Sequence, residues 1–225
     1  MKERPILFSG PMVRALLAGT KTQTRRVVKL PAEIAADPDD AGSADERNDM
    51  TCVAWLPEHE GGPGFYGWMA EYPEEGSSPI RCPYGRPGDR LWLREAFRLC
   101  AEADATPPRD TDAAYRIWYE ADAPHQPGSG KLRPGMFMPR WASRLTLEIT
   151  GVRVERLQDI SEADAIAEGV VPMWEPGCSG RLMEALGGYS FRPAASAYAL
   201  LWESINGPGS WDANPWVWCI SFKVI

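Results

Sequence analysis

The sequence predicts a mixed α+β chain, a small closed β-barrel with short flanking helices and long loop insertions. Three observations predict it. Strand-length apolar or alternating runs outnumber the helical patterns, and those helical patterns are short. The 21 Gly and 21 Pro mark much irregular loop. Setting aside the loop-like segments leaves a core of roughly 120 to 140 residues, the size of one compact domain.

The elements follow in chain order. Pro5–Ser9 is a short apolar strand. Pro11 opens a helix, where its missing N–H costs nothing, and Gly19 ends it. Thr24–Lys29 is β-like. Residues 31–80 are rich in Pro, Gly, Asp and Ser and read as a long surface insertion. Pro87-Gly88-Asp89 is a turn into Arg90–Phe97, where Leu91 and Leu93 alternate with Arg90, Trp92 and Arg94. Residues 101–135 and 171–190 are further insertions, with a strand at Ala114–Glu120. Ser143–Gln158 is a strand bent near Gly151. Ser161 caps a short helix, Glu162–Glu168. Pro193–Ser204 is a helix with Tyr198, Leu201 and Trp202 on one side, and Trp216–Ile225 is the last strand. The whole chain, 1–225, reads as one domain with these insertions.

Charge is segmented. The chain carries 24 Lys+Arg against 31 Asp+Glu, net -7, which at face value argues against a nucleic-acid binder. Yet residues 1–30 carry +6 and residues 31–80 carry -11. Residues 81–99 and 131–156 are again basic. The acidity therefore belongs mainly to one insertion and does not exclude nucleic acid. It favours a local cleft for a nucleoside or short strand over a broad basic face. The ten Trp, and 19 Arg against 5 Lys, suit stacking and planar recognition. No stretch approaches the ~20 apolar residues of a membrane span, and no signal-peptide pattern follows Met1, so a cytoplasmic protein is expected. Five scattered Cys without a CxxC, and two His, make a zinc site unexpected and reduced thiols the plain reading. No metal and no cofactor are expected.

Phosphate-loop, dinucleotide, zinc-protease and serine-hydrolase motifs are missing. Chemistry must then fall to Lys, Thr, Ser, Glu, Asp or Cys. The distinctive stretch is Gly19-Thr20-Lys21-Thr22-Gln23-Thr24-Arg25-Arg26, between a helix and a strand. Lys21 beside two Arg has neighbours that disfavour its charged form, and a neutral Lys can activate a hydroxyl. On a regular strand residues 21 and 24 face opposite ways, so they converge only if Lys21 sits in the turn. The plain alternative is a basic strand edge meeting solvent or phosphate. Glu95 is a second carboxylate of interest, and pairing with an Arg is its simplest fate. Arg25, Arg26, Arg90, Arg94, Arg140 and Arg144 are candidates for a phosphate-facing surface, with Trp92 and Trp141 as stacking or cleft-wall residues.

These residues resemble a family. Gly19, Lys21, Thr24 and Arg26 match the Gly-x-Lys-x-x-(polar)-x-Arg signature of the ASCH domain, a branch of the PUA-like β-barrel superfamily. The Gly88-Asp89 turn with Arg90-Leu91-Trp92, the 160–169 helix and the last strand are similar to the same barrels, in the long form carried by phages and prophages. The resemblance leaves out 31–80, most of 101–135 and 171–190. It implies binding of single-stranded nucleic acid or a modified nucleoside. It also implies a comparison with a small bacterial branch that deacylates N4-acetylcytidine. There the matching positions are Lys21, Thr24 and Glu168, which implies an amidohydrolase with Thr24 as nucleophile, Lys21 as base and Glu168 as proton donor. The chain is about twice as long as that branch, so its insertions could reshape the cleft. Gly19 and the neighbouring backbone N–H groups are the candidates for holding the oxyanion. A non-catalytic reader of RNA or modified DNA, and a ribonuclease, are the alternatives.

Overall fold

The computed structural model describes residues 1–29, 65–68, 78–122, 127–171, 173–176 and 189–225. Most of the expected insertions at 31–80 and 171–190 lie outside the described residues, as does His125. The architecture is mixed α+β. Eleven strands are described: β1 Glu3–Leu7, β2 Gln23–Val27, β3 Phe65–Trp68, β4 Ser78–Arg81, β5 Arg90–Arg94, β6 Phe97–Leu99, β7 Ile117–Tyr119, β8 Thr146–Arg156, β9 Met173–Pro176, β10 Tyr189–Arg192 and β11 Trp216–Val224. Three α-helices accompany them: α1 Gly10–Leu17, α2 Glu162–Ala167 and α3 Ala194–Asn206. Five strands form a mixed sheet in the order β1-β5-β8-β11-β2, and the pairs β3/β4, β6/β7 and β9/β10 stand apart from it. Among the described residues no pairing joins β1 to β2, so the sheet is open along its order.

The chain divides into two compact units interleaved in sequence. The first holds residues 1–22, 84–151 and 221–225. β1 runs parallel to β5 with Glu3 opposite Arg90 and Leu7 opposite Arg94. As the last strand of the sheet, β1 tolerates Pro5, which donates nothing to a ladder. β5 pairs antiparallel with β8, Leu91 opposite Leu147. Leu91, Leu93, Leu147 and Ile149 point inward and are buried, as the alternation with Arg90, Glu148 and Thr150 requires. A second cluster gathers Phe97, Leu99, Ala103, Met138 and Ala142, with Trp141 packed against it. α1 carries Pro11 in its first turn, buries Val13 and Leu16, and is followed by Gly19, whose φ of +73° suits glycine.

The second unit holds residues 23–83 and 152–220. Its core is Leu157, Ile160, Ala165, Ala194, Tyr198, Trp202, Val217 and Cys219. α2 is short but well terminated. The Ser161 hydroxyl accepts from Asp164 N–H at 3.1 Å, and Gly169 at φ +87° stops the helix. α3 begins after Pro193, which has no capping side chain. Glu162 fills that role from α2: its carboxylate accepts from Ala194 N–H at 2.5 Å and Ala195 N–H at 3.0 Å. No described helix is long and apolar enough to cross a membrane. Cys82, Cys100 and Cys219 are free thiols.

Candidate functional site

The motif straddles the boundary of the two units, so each part is taken in its own unit. In the first unit, Gly19 N–H donates to Leu16 C=O, and Thr20 and Lys21 N–H groups both donate back to Ala15 C=O. Lys21 therefore leaves the helix in a turn and not on a regular strand. That meets the condition the sequence set for it. Its side chain is 1% exposed, and its ammonium lies 5.6 Å from the centroid of the Phe8 ring. Phe8 meets Phe222 edge-on at 6.4 Å. Burying a lysine is costly, so a basic edge simply facing solvent does not describe Lys21. An added Cβ at Gly19 meets nothing within 4 Å. Conformation, not space, is what calls for glycine there.

In the second unit, Thr24 is 0% exposed in the middle of β2, and its hydroxyl has no hydrogen-bond partner among the described residues. Gln23 and Arg25 alternate to the other face. The Gln23 Oε1 accepts from Arg153 Nη1 at 3.2 Å. Arg25, expected on a phosphate-facing surface, is buried instead. Its Nη2 pairs with Glu155 and with Asp164 at 3.3 Å, and its Nη1 lies 3.6 Å from Glu168. The cause is long-range: β8 and α2 bring three carboxylates to one guanidinium, which removes it from the surface. Arg153 completes the network, donating to Glu155 at 2.9 Å and to Asp164 at 2.9 Å. Arg26 is half-buried and donates to Arg25 C=O at 3.2 Å.

Glu168 caps the end of α2 and is 4% exposed. Tyr198 Oη donates to its Oε1 at 3.5 Å. The structure thus joins Glu168 to Arg25 and Tyr198, and Thr24 shares no hydrogen bond with it. Electrostatics follow the burial. Desolvation works against the Arg25 charge, but Cys219, Glu155 and Glu168 outweigh it and its pKa rises. Desolvation would lift Glu155, yet donors from Arg153, Cys219 and Arg25 hold it below its ordinary value. Asp164 is lowered as well, with Ser161 and Arg153 overcoming its own desolvation. Burial pushes the Cys219 thiol and the Tyr198 phenol up, so both stay protonated near neutrality.

The remaining candidates lie in the first unit. Trp92 was expected to offer a stacking face. Its ring is already covered by Arg94 at 4.5 Å, with Arg140 at 5.8 Å, so this tryptophan is taken up by its neighbours. Arg140 also pairs with Glu3 at 3.2 Å. Glu95 has the fate its surroundings suggested: it is buried and held by Arg144 at 2.9 and 3.0 Å, while Arg144 also binds Asp122 and stacks over Tyr119 at 4.0 Å. Burial leaves the Glu95 pKa raised in spite of that arginine. Trp141 packs against the Phe97 cluster.

Sequence reasoning missed Glu155, Asp164, Tyr198 and Cys219. Tyr198 carried a signal, as a polar tip on the buried face of α3. Glu155 carried a weaker one, as an acid near Arg153 and Arg156 in the same strand. Compared with known proteins, the chain matches no family model. Neither a curated protein nor a solved structure matches it significantly.

Proposed function

We propose that this chain is an ASCH-type, PUA-like barrel protein that removes an acyl group from the exocyclic amine of a modified nucleobase, with N4-acetylcytidine as its type substrate. The observation that carries the reading is Thr24. A fully buried hydroxyl without a partner among the described residues costs about 1–3 kcal/mol. A nucleophile awaiting a substrate accounts for it. Two features support the same reading. Lys21 and Glu168, the other positions that the family resemblance selects, are also buried polar groups. Glu168 is further held by Arg25 and Tyr198, as a proton-transfer group should be.

The chemistry balances as an amide hydrolysis. Thr24 Oγ1 attacks the acyl carbon as the Lys21 side chain, three residues ahead in the motif, takes its proton. The C–N bond breaks as Glu168 gives a proton to the departing amine. Water then attacks the threonyl ester, giving one proton to Glu168 and keeping the other on the departing acid, while Lys21 returns to Thr24 the proton it took. The products are the free cytidine amine and the carboxylic acid. The test is release of cytidine from N4-acetylcytidine by the wild type, Lys21→Ala and Thr24→Val. Loss of each of these groups is expected to cost at least about 10²-fold. Wild-type rates in both variants, or no turnover by the wild type, would overturn the reading.

A further inference from the structure

The first unit holds a groove of about 630 Å³, far from the motif in sequence and partly in a segment the family resemblance leaves uncovered. Every charged side chain lining it is a cation: Arg94, Arg109, Lys131 and Arg133. The rest of the lining is apolar, with four prolines beside Leu132, Met136, Phe137 and Met138. Met136 and Phe137 are 60% and 57% exposed, yet they do not sit on a loose loop. Arg133 exchanges both backbone hydrogen bonds with Phe97, at 2.8 and 3.0 Å. Met138 is buried and its N–H closes a turn onto Gly135 C=O. A Cβ on Gly135 would lie 2.8 Å from the Glu95 backbone, so that turn is pressed against its support. A pinned turn thus holds two large apolar side chains out in water.

Arg133 gives a second observation. It is 4% exposed and donates to Thr106 C=O at 3.1 Å and Ala103 C=O at 2.6 Å. Its Nε has no hydrogen-bond partner, and no carboxylate pairs with it, among the described residues. A buried cation among neutral carbonyls draws an anion to the groove. Lys131 is exposed and lines the groove. Arg109 is only loosely held by Asp110 at 3.6 Å, both side chains being largely exposed. Arg94 is oriented by Met136 C=O at 3.2 Å and by the Trp92 ring.

We propose that this groove is a docking site for an acidic peptide segment of another protein, one that places an aromatic or aliphatic side chain against Phe137 and Met136. Methionine, aromatic residues and arginine are the composition of interface centres. The cations supply charge complementarity within a chain of net charge -7. The prolines keep the walls in place, so little entropy is lost on binding. Nucleic acid fits less well. Phe137 is the one aromatic lining residue described, so successive bases find no row of rings to stack on.

The experiment selects a short random-peptide library on the full-length wild-type chain, counter-selected on Phe137→Asp. The best peptide is then titrated by fluorescence anisotropy against the wild type, Phe137→Asp and the double variant Arg109→Glu, Lys131→Glu. These side chains are exposed, and unchanged melting temperatures confirm that the variants fold. The expected pool is rich in Asp and Glu around an aromatic or aliphatic residue. Each variant is expected to weaken the chosen peptide at least about tenfold, and added salt to weaken it further. A pool without acidic bias, an empty pool, or affinity that the variants leave alone would overturn the proposal. So would a labelled single-stranded oligonucleotide whose binding Phe137→Asp abolishes, which would assign the groove to nucleic acid. Self-association lost on the same substitution would assign it to a second copy of the chain.

Discussion

At the scale of single residues, the second unit is dominated by one charge. Arg25 sits among Glu155, Asp164 and Glu168, and only Arg153 shares the neutralising work that the described ion pairs show. Replacing Arg25 by Met leaves buried carboxylates without their main cation, at an expected cost of about 3–5 kcal/mol. Chemical denaturation of Arg25→Met against the wild type measures this, and a loss below about 1 kcal/mol would show that the carboxylates do not depend on it. In the first unit, Glu95→Gln removes the charge that Arg144 holds with two hydrogen bonds. A smaller loss of about 1–3 kcal/mol is expected there, because Asp122 still faces Arg144. The sequence showed the Glu95–Arg pairing in outline, since an acid on a basic strand needs a cation. It could not show the fate of Arg25. Its principal partner is 130 residues away, and a basic pair in sequence looks the same whether it points to water or to acids.

At the scale of elements, termination signals were legible because they are local. Pro11 and Gly19 flank α1, Ser161 and Gly169 bound α2, and each acts within its own short stretch of chain. The same locality gives a prediction at Gly19. Alanine there must adopt a φ of +73°, which costs about 1 kcal/mol and disturbs the turn that delivers Lys21. Gly19→Ala should therefore lower deacylation more than it lowers the melting temperature, and a proportionate loss of both would argue for a plain folding role. The cap of α3 was not legible, because it comes from another helix. Glu162→Ala is expected to cost about 1 kcal/mol by leaving two N–H groups without their acceptor. Equilibrium unfolding and amide exchange at Ala194 and Ala195 measure it, and unchanged protection there would refute the cap. The barrel closure that the sequence suggested is a property of non-local pairing, and the described pairings give an open order from β1 to β2.

At the scale of the whole molecule, acidity and burial set a pH response. Glu155 and Asp164 have pKa values lowered from their ordinary 4.5 and 3.8. The folded chain binds fewer protons than the unfolded one at these groups. Their contribution is therefore complete above those ordinary values and is lost as pH falls through the lowered ones. Glu95 runs the other way, its raised pKa contributing at low pH and fading as pH rises. The melting temperature of the wild type is expected to fall on acidification below about pH 4.5, with a smaller fall in Glu155→Gln. Parallel curves for the two would remove Glu155 from the response. The overall charge of -7 was a poor guide to function, because it averages basic segments with one acidic insertion. The family resemblance starts in the basic first segment, and the charged side chains lining the groove of the first unit are all cations.

The account rests most heavily on the buried hydroxyl of Thr24, and Thr24→Val isolates it because valine keeps the shape and removes only the oxygen. Its stability and its turnover of N4-acetylcytidine, measured on one preparation, give the most direct test. An unpartnered hydroxyl retained for chemistry predicts a melting temperature equal to or above the wild type, together with a rate lower by at least about 10²-fold. A variant that turns over substrate at the wild-type rate, or that loses stability because the hydroxyl held the fold, would contradict it.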